Sequence, residues 1–240
     1  MTPKLQLERI PNHREKVEDG RIYRIPREND ARLWSVTTTL KVLNKPAVNE
    51  SRVTKGREVA DKERDEAAAI GTAIHNAVRQ IVEGKIFGGF EWAALGIPTE
   101  SDERVRNGVR AFMVFQKELK FTPMTPELFV YSMLYDIAGT LDLPAMWKRK
   151  LIIMDFKSSP ELYPETWFQL AAYAMAFTDC YEMKVDEIWR VRLDRGVSDV
   201  RSARFEQDSR SGSQITDAFE GFLGLQAAAK YLYSEGARYW

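Results

Sequence analysis

Asp142, Asp155 and Lys157 have the side-chain types and the spacing to do chemistry together. Asp155 and Lys157 stand two positions apart at the end of the apolar run Leu151, Ile152, Ile153, Met154. Strand side chains alternate faces, so this pattern predicts a strand Lys150–Lys157 with Asp155 and Lys157 on one side and Met154 and Phe156 on the other. Asp142 follows a Gly-Thr pair in a preceding strand, and a hairpin turning through Trp147 to Arg149 would bring it near Asp155. Two carboxylates and an ammonium at the end of a buried strand are costly unless something compensates them. A divalent cation does so, and carboxylate, carbonyl and water ligands suit a hard ion such as Mg²⁺ or Mn²⁺. Taken alone, an Asp-x-Lys pair reads better as a strand-end salt bridge.

The elements that must position these residues follow from periodicity. Residues 1 to 20 are polar and read as irregular. Arg21 to Pro26 alternates like a strand, with a turn at Glu28 to Ala31 and a partner strand at Arg32 to Val36. SVTTTLKVL suggests a short helix capped by Ser35 or Thr37. Part of 57 to 69 reads as helix after the breakers Pro46 and Gly56. Ala67 to Glu83 is a stronger helix, with Ile70, Ile74, Ala77, Val78, Ile81 and Val82 at helical spacing and Gly84 as its stop. A loop fills 84 to 100, and a second amphipathic helix runs from Asp102 to Leu119. Three strands follow, Leu128 to Tyr135, Ile137 to Ala145 and Lys150 to Lys157. Pro164 opens a helix through about Thr178 that is apolar nearly all round and is expected to be buried. Val185 to Asp194 and Val200 to Phe205 form a hairpin turning near Gly196, and a last helix runs from Ser213 to Ser234. These elements give an α/β fold in one domain spanning 1–240, with residues 1–32 as an N-terminal extension.

Composition sets bounds. Lys+Arg and Asp+Glu both number 35, so net charge offers no argument for a polyanionic partner and any basic surface must be local. The single cysteine, Cys180, excludes an internal disulfide and a four-thiolate cluster. Reducing cytosol is the expected setting. No apolar run is long enough to cross a membrane, and the first residues lack the apolar core of a signal peptide.

Four strings in this order, GTAIH (Gly71 to His75), GTLDL (Gly139 to Leu143), IIMDFKSS (Ile152 to Ser159) and QLAAY (Gln169 to Tyr173), resemble the PD-(D/E)XK nuclease superfamily. The branch they resemble is that of the RecB-type, phage and mitochondrial genome maintenance exonucleases, over residues 33 to 180. The resemblance implies a restriction-endonuclease-like core: a central mixed sheet of a three-strand meander, a helix and a further strand, flanked by helices. It implies a metal-dependent DNA exonuclease, or an endonuclease on the same core. A non-catalytic nucleic-acid-binding subunit is the reading from a different class. It implies Asp142, Asp155 and Lys157 as catalytic residues, and His75, Asp142, Asp155, the Phe156 carbonyl and Glu127 as metal ligands. Substrate positioning would fall to Gln169, Tyr173, Thr72 and Ser158.

On chemistry alone His75 reads first as a core histidine, Glu127 equally as a loop carboxylate and Thr72 equally as a helix cap, while Gln169 with Tyr173 has a structural network on one helix face as its alternative. The pattern departs from that of relatives at Ile70, where a basic residue is common, and at Asp155, where many carry Glu. Cys180 alone cannot supply the iron–sulfur cluster of some relatives, so none is expected. The expected partners are single-stranded DNA or duplex ends and a recombination or replication protein. Lys148 to Lys150 and the arginines Arg190, Arg192, Arg195, Arg201 and Arg204 are candidate phosphate contacts against a background of interspersed acids. Trp34, Trp92, Trp147 and Trp167 are candidate base-stacking residues.

Overall fold

Phe156 and Asp155 belong to the strand on which the fold is built, β8 (Lys150–Lys157), and its two faces carry different cores. Leu151 and Ile153 join one apolar cluster, while Ile152, Met154 and Phe156 join another. The structure is a computed structural model that describes residues 6–17, 20–43, 53–84, 103–196 and 204–234. The predicted loop beyond residue 84, Trp92, Arg201 and residues 197–203, where the predicted strand Val200 to Phe205 was to begin, lie outside the described residues.

The strands are β1 (His13–Val17), β2 (Gly20–Ile25), β3 (Ala31–Ser35), β4 (Thr122–Pro123), β5 (Leu128–Ser132), β6 (Ile137–Leu141), β7 (Leu143–Trp147), β8, β9 (Glu187–Leu193) and β10 (Phe205–Ser211). The helices are α1 (Val36–Thr39), α2 (Arg57–Glu83), α3 (Glu103–Leu119), α4 (Thr166–Tyr181) and α5 (Ser213–Ser234). The strands form two five-stranded mixed sheets, ordered β1-β2-β3-β6-β5 and β10-β9-β8-β7-β4. β3 runs parallel to β6 and β8 parallel to β9; the other pairings are antiparallel. The second sheet is covered on both faces. α4 packs on the Leu151 and Ile153 side, and α2 and α3 pack on the Ile152, Met154 and Phe156 side.

Several sequence expectations change here. The strand expected from Ile137 to Ala145 is broken at Asp142, so β6 belongs to one sheet and β7 to the other, while the expected α/β architecture of mixed sheet flanked by helices is present. Residues 1 to 20 are not all irregular, because β1 pairs with β2; the polar alternation of HREKV hides a strand with no apolar face. Through β3 this extension is built into the first sheet. The two helical stretches between 57 and 83 are one 27-residue helix. Its first half exposes nearly every residue, so it lacks the apolar stripe that pattern reading needs. α4 starts at Thr166, just beyond Pro164, and runs on to Tyr181. β10 begins at Phe205, where the predicted strand was to end. At the N-terminus of α1 the Ser35 hydroxyl pairs with Thr37 Oγ1 at 2.9 Å and makes no cap bond to the backbone. In α5, Phe219 and Phe222 are buried, while Ala227 and Tyr231 are exposed.

Candidate active site

The break at Asp142 builds the site. The β7–β8 ladder ends at the pair Leu143 and Met154, so β7 no longer supplies partners beyond that point. Phe156 still has an amide and a carbonyl facing the vacated side, and buried backbone groups must be paired. The Phe156 N–H donates to Asp142 Oδ2 at 2.7 Å. The Phe156 carbonyl accepts from His75 Nε2, on α2, at 3.0 Å. Because a carbonyl can only accept, Nε2 carries the proton, and Nδ1 turns towards the carboxylates. Asp142 Oδ1 lies 3.4 Å and Glu127 Oε1 3.9 Å from Nδ1. Glu127 is held beside Asp142 by its own N–H, which donates to the Asp142 carbonyl at 2.8 Å.

On the opposite side of β8, Asp155 and Lys157 share a face, as alternation predicts. Lys157 Nζ stands 2.7 Å from Asp155 Oδ2. Gln169 of α4 joins the two, donating from Nε2 to Asp155 Oδ1 at 2.8 Å and accepting from Lys157 Nζ at Oε1 at 3.3 Å. Tyr173, one helical turn on, is buried, with its ring packed so closely on Gly139 that a Cβ there would come within 2.5 Å of it.

These groups line one cleft of about 540 Å³, together with Gly71, Thr72, Asn76 and Thr140 and, from the N-terminal segment, Arg14, Arg21, Tyr23 and Thr37. Of the residues singled out in the sequence, His75, Glu127, Asp142, Asp155, Lys157, Gln169, Tyr173 and Thr72 all line it. Thr72 is exposed, and its hydroxyl donates to the Ala68 carbonyl within α2 at 3.0 Å. Ser158 is not among the lining residues and sits behind Gly71, whose added Cβ would meet Ser158 Oγ at 3.3 Å. Arg14, Arg21 and Tyr23 had no place in the sequence reading. The only signal for them was the alternation of RIYRIP, which puts Arg21 and Tyr23 on one face.

Several of the candidate phosphate contacts and stacking residues are otherwise engaged. Lys150 Nζ pairs with Glu187 at 2.5 Å, Arg190 with Asp208 at 2.9 Å and Arg192 with Glu206 at 3.0 Å. Trp167 is buried, with the Arg190 and Arg210 guanidiniums 4.6 and 4.5 Å from its ring. Trp147 packs edge-on against Trp189, and Trp34 against Tyr233.

The electrostatics of the site follow from burial working against neighbouring charge. Burial would pull the His75 imidazole down, but Asp142 and Glu127 hold its pKa well above the ordinary 6.5. Burial would raise Asp142, yet His75, Lys157 and the Phe156 amide leave its pKa below the usual value. Asp155 is pushed up to about 6 by burial, helped by repulsion from Asp142 and opposed by Lys157. Lys157 is raised by Asp155 and Asp142 against the pull of burial, so it is an ammonium at neutral pH.

A hard divalent cation suits this donor set. His75, Glu127 and Asp142 each offer one ligand atom, and the three atoms lie within 4.8 Å of one another. An imidazole nitrogen facing two carboxylate oxygens is stable only if a cation, proton or metal, lies between them. Asp155 Oδ2 is buried and faces the Lys157 ammonium at 2.7 Å. Asp155 itself stands outside the three-residue cluster, with its other oxygen held by Gln169.

No protein-family model and no curated protein matches the chain. Among solved structures, an alkaline exonuclease (LHK-Exo) from Laribacter hongkongensis is similar at 11% identity, covering 85% of this chain and 93% of that one, with a TM-score of 0.38. The structure of SSO0001 is similar at 16% identity, covering 64% of this chain and 75% of that one, with a TM-score of 0.27. At such values neither likeness bears on activity, and function is argued from the site's own residues.

Proposed function

We propose that this protein is a divalent-metal-dependent DNA nuclease of the PD-(D/E)XK type, acting as an exonuclease in recombination, repair or replication. The observation that carries the reading is the convergence of His75, Glu127 and Asp142 on one side of β8 and the Asp155–Lys157–Gln169 triad on the other, within one cleft. All of these residues but Glu127 come from strings that resemble that superfamily in order and spacing. Bound Mg²⁺ or Mn²⁺ would neutralise phosphate charge and lower the pKa of an attacking water.

The chain's own residues have separable tasks. His75, Glu127, Asp142 and Asp155 would hold the ion. His75 keeps a fixed tautomer because the Phe156 carbonyl occupies Nε2–H, which leaves Nδ1 as the ligand atom. Lys157, held as a cation by its two carboxylate neighbours, stabilises negative charge developing on the phosphate and orients a water by donating to it. Gln169 fixes the head groups of Asp155 and Lys157, and Tyr173, a neutral phenol at physiological pH, backs Gln169.

The test is digestion of end-labelled linear DNA and of covalently closed circular DNA with Mg²⁺ or Mn²⁺. The expected result is metal-dependent release of nucleotides from linear substrate only, abolished by Asp155→Ala and by Lys157→Ala in folded protein. Cutting of the closed circle would make it an endonuclease. Failure to cut any substrate, with metal bound and the chain folded, would remove the nuclease reading.

A further inference from the structure

The arginines of the N-terminal hairpin are distributed unevenly in their pairing. On one face of β1–β2, Glu15 lies 3.4 Å from both Arg24 and Arg32, and Asp30 lies 3.1 Å from Arg24. On the other face Arg14 stands opposite Tyr23 in the ladder, and Arg21 lies two residues from Tyr23. This second face lines the acidic cleft. Among the described residues, neither the Arg14 nor the Arg21 guanidinium has a carboxylate within salt-bridge reach, although both are exposed and the cleft holds three acids. The other cations of the cleft are already committed, Lys157 to Asp155 and His75 to Asp142 and Glu127.

The backbone that carries Arg21 is fixed. Thr38 Oγ1 accepts from the Arg21 N–H at 2.9 Å and donates to the Arg21 carbonyl at 3.2 Å. Tyr23 is buried against Phe129, with ring centroids 5.0 Å apart, and anchors the same face. Two guanidiniums without a carboxylate partner among the described residues, on the wall of a cleft that holds three acids, suit a ligand that brings its own negative charge. A guanidinium fork matches phosphate oxygens.

We infer that Arg14 and Arg21 form a phosphate clamp, binding DNA-strand phosphates other than the one being cleaved and holding the strand across the acidic centre. This deepens the nuclease reading and rests on it only in that a DNA strand occupies the cleft. Arg14 and Arg21 are positioning residues: they hold the strand and leave bond cleavage to the acidic centre. Sequence resemblance does not reach them, since it begins at residue 33.

The experiment measures binding of labelled single-stranded DNA by the full chain in EDTA over a series of NaCl concentrations. The strands are 5′-phosphorylated linear, 5′-hydroxyl linear and circular. The variants are Arg14→Gln, Arg21→Gln and both together, with Arg24→Gln and Arg32→Gln as controls on the opposite face of the same hairpin. Each cleft-face substitution is expected to weaken binding by about tenfold and to flatten the slope of log K against log salt by about 0.7. Arg→Lys should recover most of the slope, and the controls should change neither quantity. Equal losses on all three strands place the clamp on internal phosphodiesters, and losses confined to the 5′-phosphorylated strand place it on a terminal phosphate. In steady-state cleavage the cleft-face variants should raise KM far more than they lower kcat. An unchanged slope, or equal effects from the outward-face controls, overturns the clamp. If wild-type protein still cuts DNA in that case, the nuclease reading stands. If wild type binds with the expected slope and never cuts, the clamp stands and the nuclease reading falls.

Discussion

Phe156 shows how one residue's backbone can organise a site. Its amide and carbonyl lose their strand partner where β7 ends, and the side chains that replace it, Asp142 and His75, are the ones that face Glu127. The His75 proton then becomes a stability element. Its folded pKa lies above the unfolded 6.5, so its contribution is fully present below 6.5 and is lost as pH rises through the folded value. Asp155 acts with the same sign at lower pH. Its pKa rises from 3.8 to about 6 on folding, so its ionisation opposes folding across that interval and adds a constant penalty above it. The stability that His75 and Asp155 contribute to metal-free protein should therefore fall as pH climbs from about 4 past neutrality, as read by urea unfolding at fixed pH, while the lowered Asp142 and Glu187 carboxyls act with the opposite sign on the acid side. His75→Gln should remove the part of this decline above pH 6.5. Saturating Mn²⁺ should restore stability there, by about 2.7 kcal/mol at a hundredfold excess over Kd. Identical pH profiles for wild type and His75→Gln would show that the imidazole does not carry this linkage. Much of the site was legible at this scale, because Asp142, Asp155, Lys157 and His75 sit in short strings with their own alternation. What the strings could not reveal was why Gly139 precedes Asp142. The reason is a Tyr173 ring supplied by a helix some thirty residues downstream.

Among the elements, the β7–β8 hairpin decides whether Asp142 reaches β8 at all. Its two turn residues, Lys148 and Arg149, both adopt left-handed backbone, with φ of 47° and 66°, between the closing pair Trp147 and Lys150. That is the geometry of a two-residue turn whose twist matches the strands, normally filled by Asn-Gly. Here long side chains occupy it, which is why the sequence showed a basic turn without revealing its type. The left-handed conformation costs a non-glycine residue about 1 kcal/mol or more. Lys148→Asn combined with Arg149→Gly should then raise stability by about 1 kcal/mol without altering the site, measured as a higher urea midpoint at unchanged m-value. A drop in stability would mean that the Lys148 ammonium over the Trp147 ring, 4.2 Å from its centroid, outweighs the backbone strain. The break between β6 and β7 was hidden for a related reason. IAGTLDLPA is apolar on both sides of Asp142, and its continuity reads as one strand, yet Leu141 packs in one cluster and Leu143 in the other.

For the molecule as a whole, the division into two sheets raises the question of whether the N-terminal segment is an accessory or part of the body. Sequence reading made residues 1–32 an extension because residues 1 to 20 are polar and read as irregular and the resemblance begins at residue 33. In the fold, Tyr23 and Ile25 are 4% and 0% exposed and share a cluster with Leu33, Phe129, Tyr131 and Ala138. Tyr131 is further tied to this region: its hydroxyl donates to Glu28 at 2.6 Å and accepts from Arg27 Nε at 2.8 Å. Removing residues 1–30 would expose the β3 edge as well as this cluster. Losing the burial of Ile10, Tyr23 and Ile25 alone costs roughly 5 kcal/mol, comparable to the whole stability of many domains. We propose that the chain unfolds as one domain, with the N-terminal hairpin included. Full-length protein should give a single transition with coincident fluorescence and far-ultraviolet circular dichroism traces. The shortened chain should lose that cooperative transition or aggregate through its exposed strand edge. A truncated protein that unfolds at the full-length midpoint would mean that the hairpin is an appended wall of the cleft, resting on a core complete without it.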